Sequence, residues 1–180
     1  MKKIIVITAA ILFSTIGFSQ KVSVYETGNE IDNIPKKGMA IDLQLDKKFV
    51  EKMWKKKLKE FGGKNGGAKG GSIIEGASIS PIAKNPINIY TSINKSKGGT
   101  QVWWAIDMGS SYLAKGGSGW SSAEKIMLDF GREAYREDIN KQIAEAEKAL
   151  AKSIKTYEKE VGEGEDLVKD IDKNGKDKIK

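Results

Sequence analysis

The stretch GMAIDLQLDKKFVEKMWKKKLKEFG, residues 38–62, changes its hydrophobic period at one residue. Over residues 39–45 the pattern alternates: Met39, Ile41, Leu43 and Leu45 fall on one side, and Ala40, Asp42 and Gln44 on the other. Period two with one apolar side predicts a strand with a buried face. Asp46 then stands where a carboxylate can accept from the free N–H groups of a first helical turn. Leu45 and Val50 are spaced to clasp across that cap. From there Val50, Met53, Trp54, Leu58 and Phe61 recur at helical spacing, which predicts a helix ending near Phe61. Lys55, Lys56 and Lys59 lie largely off its apolar stripe.

Outward from this β-to-α switch the chain continues with GGKNGGAKGG, residues 62–71. Gly66 to Gly71 has the glycine spacing of a phosphate-cradling loop, but Ser72 follows directly, without the required Lys, so the segment reads as a flexible connector. Strands are predicted over 72–80, 86–94 and 100–108, the last two joined by a short hairpin connection, KSKGG. Residues 22–25 offer a further edge strand. The predicted class is α+β: an antiparallel sheet of four strands, or five with that edge, in β-α-β-β-β order with helices on one face.

Ser121-x-x-Glu124 reads as a capping box that opens a long helix. Ile126, Phe130, Ala134, Ile139, Ile143, Ala146, Leu150, Ile154, Tyr157 and Val161 follow at mostly three- and four-residue steps. Ile143, Leu150 and Tyr157 are seven apart, as are Glu147, Ile154 and Val161, which is coiled-coil spacing. Gly162 and Gly164 are expected to interrupt it. The predicted division is a leader over 1–19, an α+β domain over 20–115, an amphipathic C-terminal helix over 116–161, and a polar helical or disordered tail over 162–180.

The leader is predicted from MKKIIVITAAILFSTIGFSQ, which joins two lysines, an apolar run and small residues at Gly17 and Ser19. The run falls short of the roughly 20 apolar residues of a spanning helix and is interrupted, so cleavage is expected to start the mature chain at Gln20, the alternative being an uncleaved anchor. Side-chain charge is +7, falling to +5 once Lys2 and Lys3 are removed. Nine lysines against three carboxylates crowd residues 46–69. Outside the cytoplasm the anions open to such a surplus are phospholipid, lipopolysaccharide and wall polymer rather than nucleic acid; the other reading is a solubilising, lysine-rich helix face. The chain has neither cysteine nor histidine, which excludes disulfides, Cys–His and Ser–His catalytic pairs and His-ligated zinc.

A signal, the 38–62 stretch in a βαβββ module, and a capped helix running into INKQIAEAEKALAKS resemble a group of small secreted proteins of Bacteroidota. The resemblance implies a globular domain followed by a Lys/Glu-rich coiled-coil tail. Its motifs are patterns of fold, so it carries over no functional residues and implies no cofactor.

Four constellations bear on chemistry. Tyr90 and Trp103 fall on the polar side of their strands, where a large aromatic is either packed under the N-terminal segment or the glycine-rich loops or offers a flat platform to a partner; with Lys55, Lys56 and Lys59 they form the candidate binding surface. Asp42, Glu75 and Asp107 can share a sheet face, as a hydrolytic carboxylate pair would require. Ser122-x-x-Lys125 has nucleophile spacing but none of the accompanying elements. Asp170, Asp172, Asn174 and Gly175 match the opening of a calcium loop, yet the chain stops before the twelfth position, so a polar tail is expected. No catalytic residue, metal ligand or cofactor site is assigned. The leading expectation is a non-enzymatic exported envelope protein acting as an interaction or assembly module. Its partner would be another envelope protein or an anionic envelope polymer. The alternatives are a binding module for anionic or glycan polymers and a carboxylate-dependent hydrolase.

Overall fold

A computed structural model describes residues 22–177. The expected leader, residues 1–19, lies outside them. Two compact units divide the chain, one running through Ala134 and the other from Tyr135 onward.

The first unit is built on a six-stranded, wholly antiparallel sheet: β1 (Val24–Ile31), β2 (Ile34–Leu43), β3 (Lys64–Ala68), β4 (Gly71–Ala77), β5 (Ile87–Ser96) and β6 (Gly99–Asp107). Their spatial order is β1-β2-β6-β5-β4-β3. The α+β class and antiparallel sheet match the sequence reading, but six strands replace the expected four or five. β1 is a full strand, paired with β2 from Val24↔Ile41 to Ile31↔Ile34. Its two-residue turn, Asp32-Asn33, has φ of 55° and 60°, the left-handed pair that a tight hairpin needs and that Asp and Asn tolerate. The segment read as a flexible connector is β3 and the turn to β4. Having no large apolar side chain, β3 is held by its ladder to β4 rather than by burial.

The helix α1 (Lys47–Glu60) starts at the predicted cap, with Phe49 N donating to Asp46 Oδ1 at 3.1 Å. It buries Val50, Trp54 and Leu58 against one sheet face. On that face lie Met39, Ile41 and Leu43 of β2, Ile89 of β5, and Val102, Trp104 and Ile106 of β6. Trp54 sits edge-on to Trp104 at 5.6 Å and to Phe130 at 4.7 Å. Phe130 belongs to α2 (Trp120–Asp177), which buries Trp120, Ala123, Met127, Phe130 and Ala134 at helical spacing. Gly131 lets this turn approach closely: a Cβ there would stand 2.7 Å from Val22 Cγ1 and 3.3 Å from Leu43 Cδ2. The helix begins at Trp120, where Ala123 N donates to Gly119 O, so Ser121 lies inside it and the expected capping box is not its start.

The second unit is the rest of α2, from Tyr135 to Asp177. Gly162 and Gly164 do not interrupt it, contrary to expectation. Single glycines cost a helix only about 1 kcal/mol each, and pairs such as Lys141–Glu145, Lys159–Glu163 and Lys169–Asp166 brace neighbouring turns.

Candidate functional site

The five residues of the expected binding surface are not brought together. Lys55, Lys56 and Lys59 are exposed on the solvent side of α1. Tyr90 and Trp103 point to the opposite sheet face, because Thr91 and Trp104, their chain neighbours, pack under α1. Their predicted parity holds. Trp103 nevertheless offers no platform: it is 0 % exposed, and its Nε1 donates to Thr27 O at 3.1 Å.

What covers Trp103 is the curl of the sheet. The hairpin turns at its two edges meet: Asp32 N donates to Lys69 O at 2.9 Å, and Lys69 N to Asp32 Oδ1 at 2.8 Å. Gly71 permits the closure, since a Cβ there would stand 2.2 Å from Thr91 O and 2.7 Å from Ile31 Cδ1. Inside the curl Ile31, Ala40, Trp103 and Ala105 form a second, smaller core.

Beside that core lies a cluster that sequence reading missed. Lys36 of β2 is only 7 % exposed; its Nζ donates to Tyr112 Oη at 2.7 Å and stands 4.1 Å from the centre of the Tyr90 ring. Such an ammonium is held by ring faces and a phenol oxygen. Burial pushes the Tyr90 hydroxyl above its ordinary range, with Tyr112, Asp107 and Glu75 adding to the rise. Lys36 precedes the strand predicted over residues 39–45, and nothing in the sequence distinguishes it from the surface lysines.

Asp42 and Asp107 do not form a hydrolytic pair. Asp42 stands opposite Gln101 and Asp107 lies six residues farther along β6, about 20 Å away at strand rise. That is well beyond the 6.5–9.5 Å of an inverting pair. Asp42 accepts from Tyr25 Oη at 2.6 Å, and Asp107 accepts from Gly109 N at 2.8 Å to hold its turn. Lys125 of the Ser-x-x-Lys spacing is paired with Asp129 at 2.6 Å. Asp170, Asp172, Asn174 and Gly175 stand on α2 rather than in a loop, so their directions fan around the helix axis. Among the described residues no group of three or more acidic side chains is arranged to hold a metal. An open depression of about 410 Å³ bordered by Pro81, Ile82, Met108 and Ser118 has Lys84 as its single charged lining residue.

Among the described residues, most exposed large apolar side chains lie on the second unit. Every residue from 139 to 175 is exposed. Ile143, Leu150, Tyr157, Gly164 and Ile171 recur every seven residues, and so do Asn140, Glu147, Ile154, Val161 and Val168. The large apolar members are 41–69 % exposed. Because α2 continues through its glycines, this stripe runs a further ten residues beyond Val161, where sequence reading ended it. Among the described residues no helix is long and apolar enough to cross a membrane. No protein family, curated protein or solved structure matches this chain.

Proposed function

We propose that this is a non-enzymatic, exported envelope protein whose curled α+β domain carries an interaction helix, α2, that assembles it with another helix. The observation that carries the reading is the exposed stripe from Ile143 to Ile171. Scattered exposed apolar residues are ordinary, but a continuous apolar line at heptad spacing on a long helix is the surface that helix pairing buries. The lysine-flanked apolar leader supports export. The separation and engagement of Asp42 and Asp107 speak against a hydrolase built on that pair.

The test is native size separation of envelope extracts from cells producing the protein. The wild-type chain is expected in a species larger than one chain, and Leu150→Asp with Ile154→Asp in one no larger. Identical migration of both would overturn the reading. On exported material, mass spectrometry is expected to find a chain beginning at Gln20; an intact Met1 terminus would contradict cleavage.

One observation favours a second reading, binding of an anionic polymer. Lys52, Lys55, Lys56 and Lys59 are exposed along α1, and among the described residues none of them has an ion pair, whereas Lys47 and Lys57 are matched by Glu51 and Glu60. Tyr90 and Trp103 drop out of this surface. Retention on immobilised lipopolysaccharide or peptidoglycan that is lost when these four become Gln would support it over the first.

A further inference from the structure

Given α2 as an interaction helix, on which the identity of its partner rests, we propose that the partner is a second copy of this chain. The two α2 helices pair antiparallel over residues 140–171. Parallel pairing sets each stripe residue against itself. Glu147 would then face Glu147, two carboxylates on an apolar seam, and Gly164 would face Gly164 and leave a hole. Antiparallel pairing about a point between Lys155 and Thr156 removes both faults. It sets Ile154 against Tyr157, Leu150 against Val161 and Ile143 against Val168 of the second copy. Glu147 falls opposite Gly164, where the missing side chain leaves its carboxylate a path to water. Flanking positions match in size, with Ala146 beside Leu167 and Ala144 beside Glu165.

Charge favours the same direction. Residues 139–155 hold four lysines against Glu145 and Glu147, a net +2. Residues 156–172 hold Lys159 and Lys169 against seven carboxylates, a net −5. Antiparallel pairing lays the positive block on the negative one, and parallel pairing lays like on like.

The chain has no cysteine, so Ile143→Cys and Val168→Cys each add a lone thiol. The full mature chain carrying each is oxidised alone and in an equal mixture. A linked dimer is expected in the mixture, several-fold above either variant alone. In the antiparallel pair, residue 143 of one copy lies 25 residues, about 37 Å, from residue 143 of the other, too far for a disulfide. Strong linking of each variant with itself overturns the proposal in favour of parallel pairing. The wild-type chain gives an independent reading by sedimentation. A two-chain mass whose dissociation constant rises with added salt supports the antiparallel pair. A one-chain mass, or a dimer that tightens with salt, overturns it. If envelope extracts still hold α2 in a larger species while the purified chain is a monomer, self-pairing fails and the interaction reading stands with a different partner.

Discussion

At the scale of single residues, two tryptophans of similar burial should respond differently to the same change. Trp54 Nε1 donates to Thr91 Oγ1 at 2.9 Å, and that hydroxyl in turn donates to Trp103 O at 2.7 Å. The Trp104 indole N–H, also buried, meets no acceptor among the described residues. Replacement by Phe removes comparable volume from each, but only at Trp54 does it break a hydrogen bond. Trp54→Phe should therefore cost roughly 1 kcal/mol more than Trp104→Phe in denaturant unfolding; equal losses would refute this. The Tyr90 phenol gives a pH prediction. Its folded-state pKa is raised above 10.0, first by burial and then by Tyr112, so the fold favours the neutral form. That stabilisation is complete below pH about 10 and is lost as pH rises through the folded value. Tyr25, raised by burial and by its bond to Asp42, acts in the same sense. Wild-type unfolding midpoints should fall more steeply than those of Tyr90→Phe between pH about 9 and about 11. Matching slopes would remove Tyr90 as a source.

At the scale of elements, α2 makes the clearest demand. Gly162 lies in mid-helix, and a Cβ there meets nothing within 4 Å. Gly162→Ala should raise helix content and add up to about 1 kcal/mol to the second unit; reduced helicity would mean that the chain turns at that glycine. The elements legible in sequence were those whose side chains repeat with a period. β2 was legible through Met39, Ile41 and Leu43, and α1 through Asp46, Trp54 and Leu58, because one buried face imposes a repeat. β3 was illegible because Lys64–Ala68 buries no large side chain, and its pairing with β4 is carried by backbone groups that every sequence possesses. The run of α2 beyond Gly162 was illegible for a related reason. Glycine weakens a helix without forbidding it, and the braces across these turns depend on the helix being there. The candidate site was legible where it is a stripe, Ile143 to Val161. It was illegible at Lys36, whose burial follows from the curl of the sheet and the meeting of Asp32 with Lys69.

At the scale of the whole molecule, the two units have different sources of stability. The first closes its core around Trp54, Trp104 and Phe130 by Ala134. Deleting residues 139–180 should leave its melting temperature nearly unchanged, and a large drop would show that the helix holds the domain up. The second unit has apolar groups but no cover of its own. Each large side chain on the stripe is worth about 1.5–3 kcal/mol when fully buried, so a facing helix would supply what the unit lacks. The most direct measurement places a photoreactive side chain at Leu150 or at Lys152 in cells making the protein, and compares the two. The positions are two residues apart and about 200° around the helix, so Leu150 is on the stripe and Lys152 off it. A discrete cross-linked species from Leu150 with little from Lys152 is the expected result. No species from Leu150, or equal yields from both, would contradict the assignment of α2 as the surface through which this protein works.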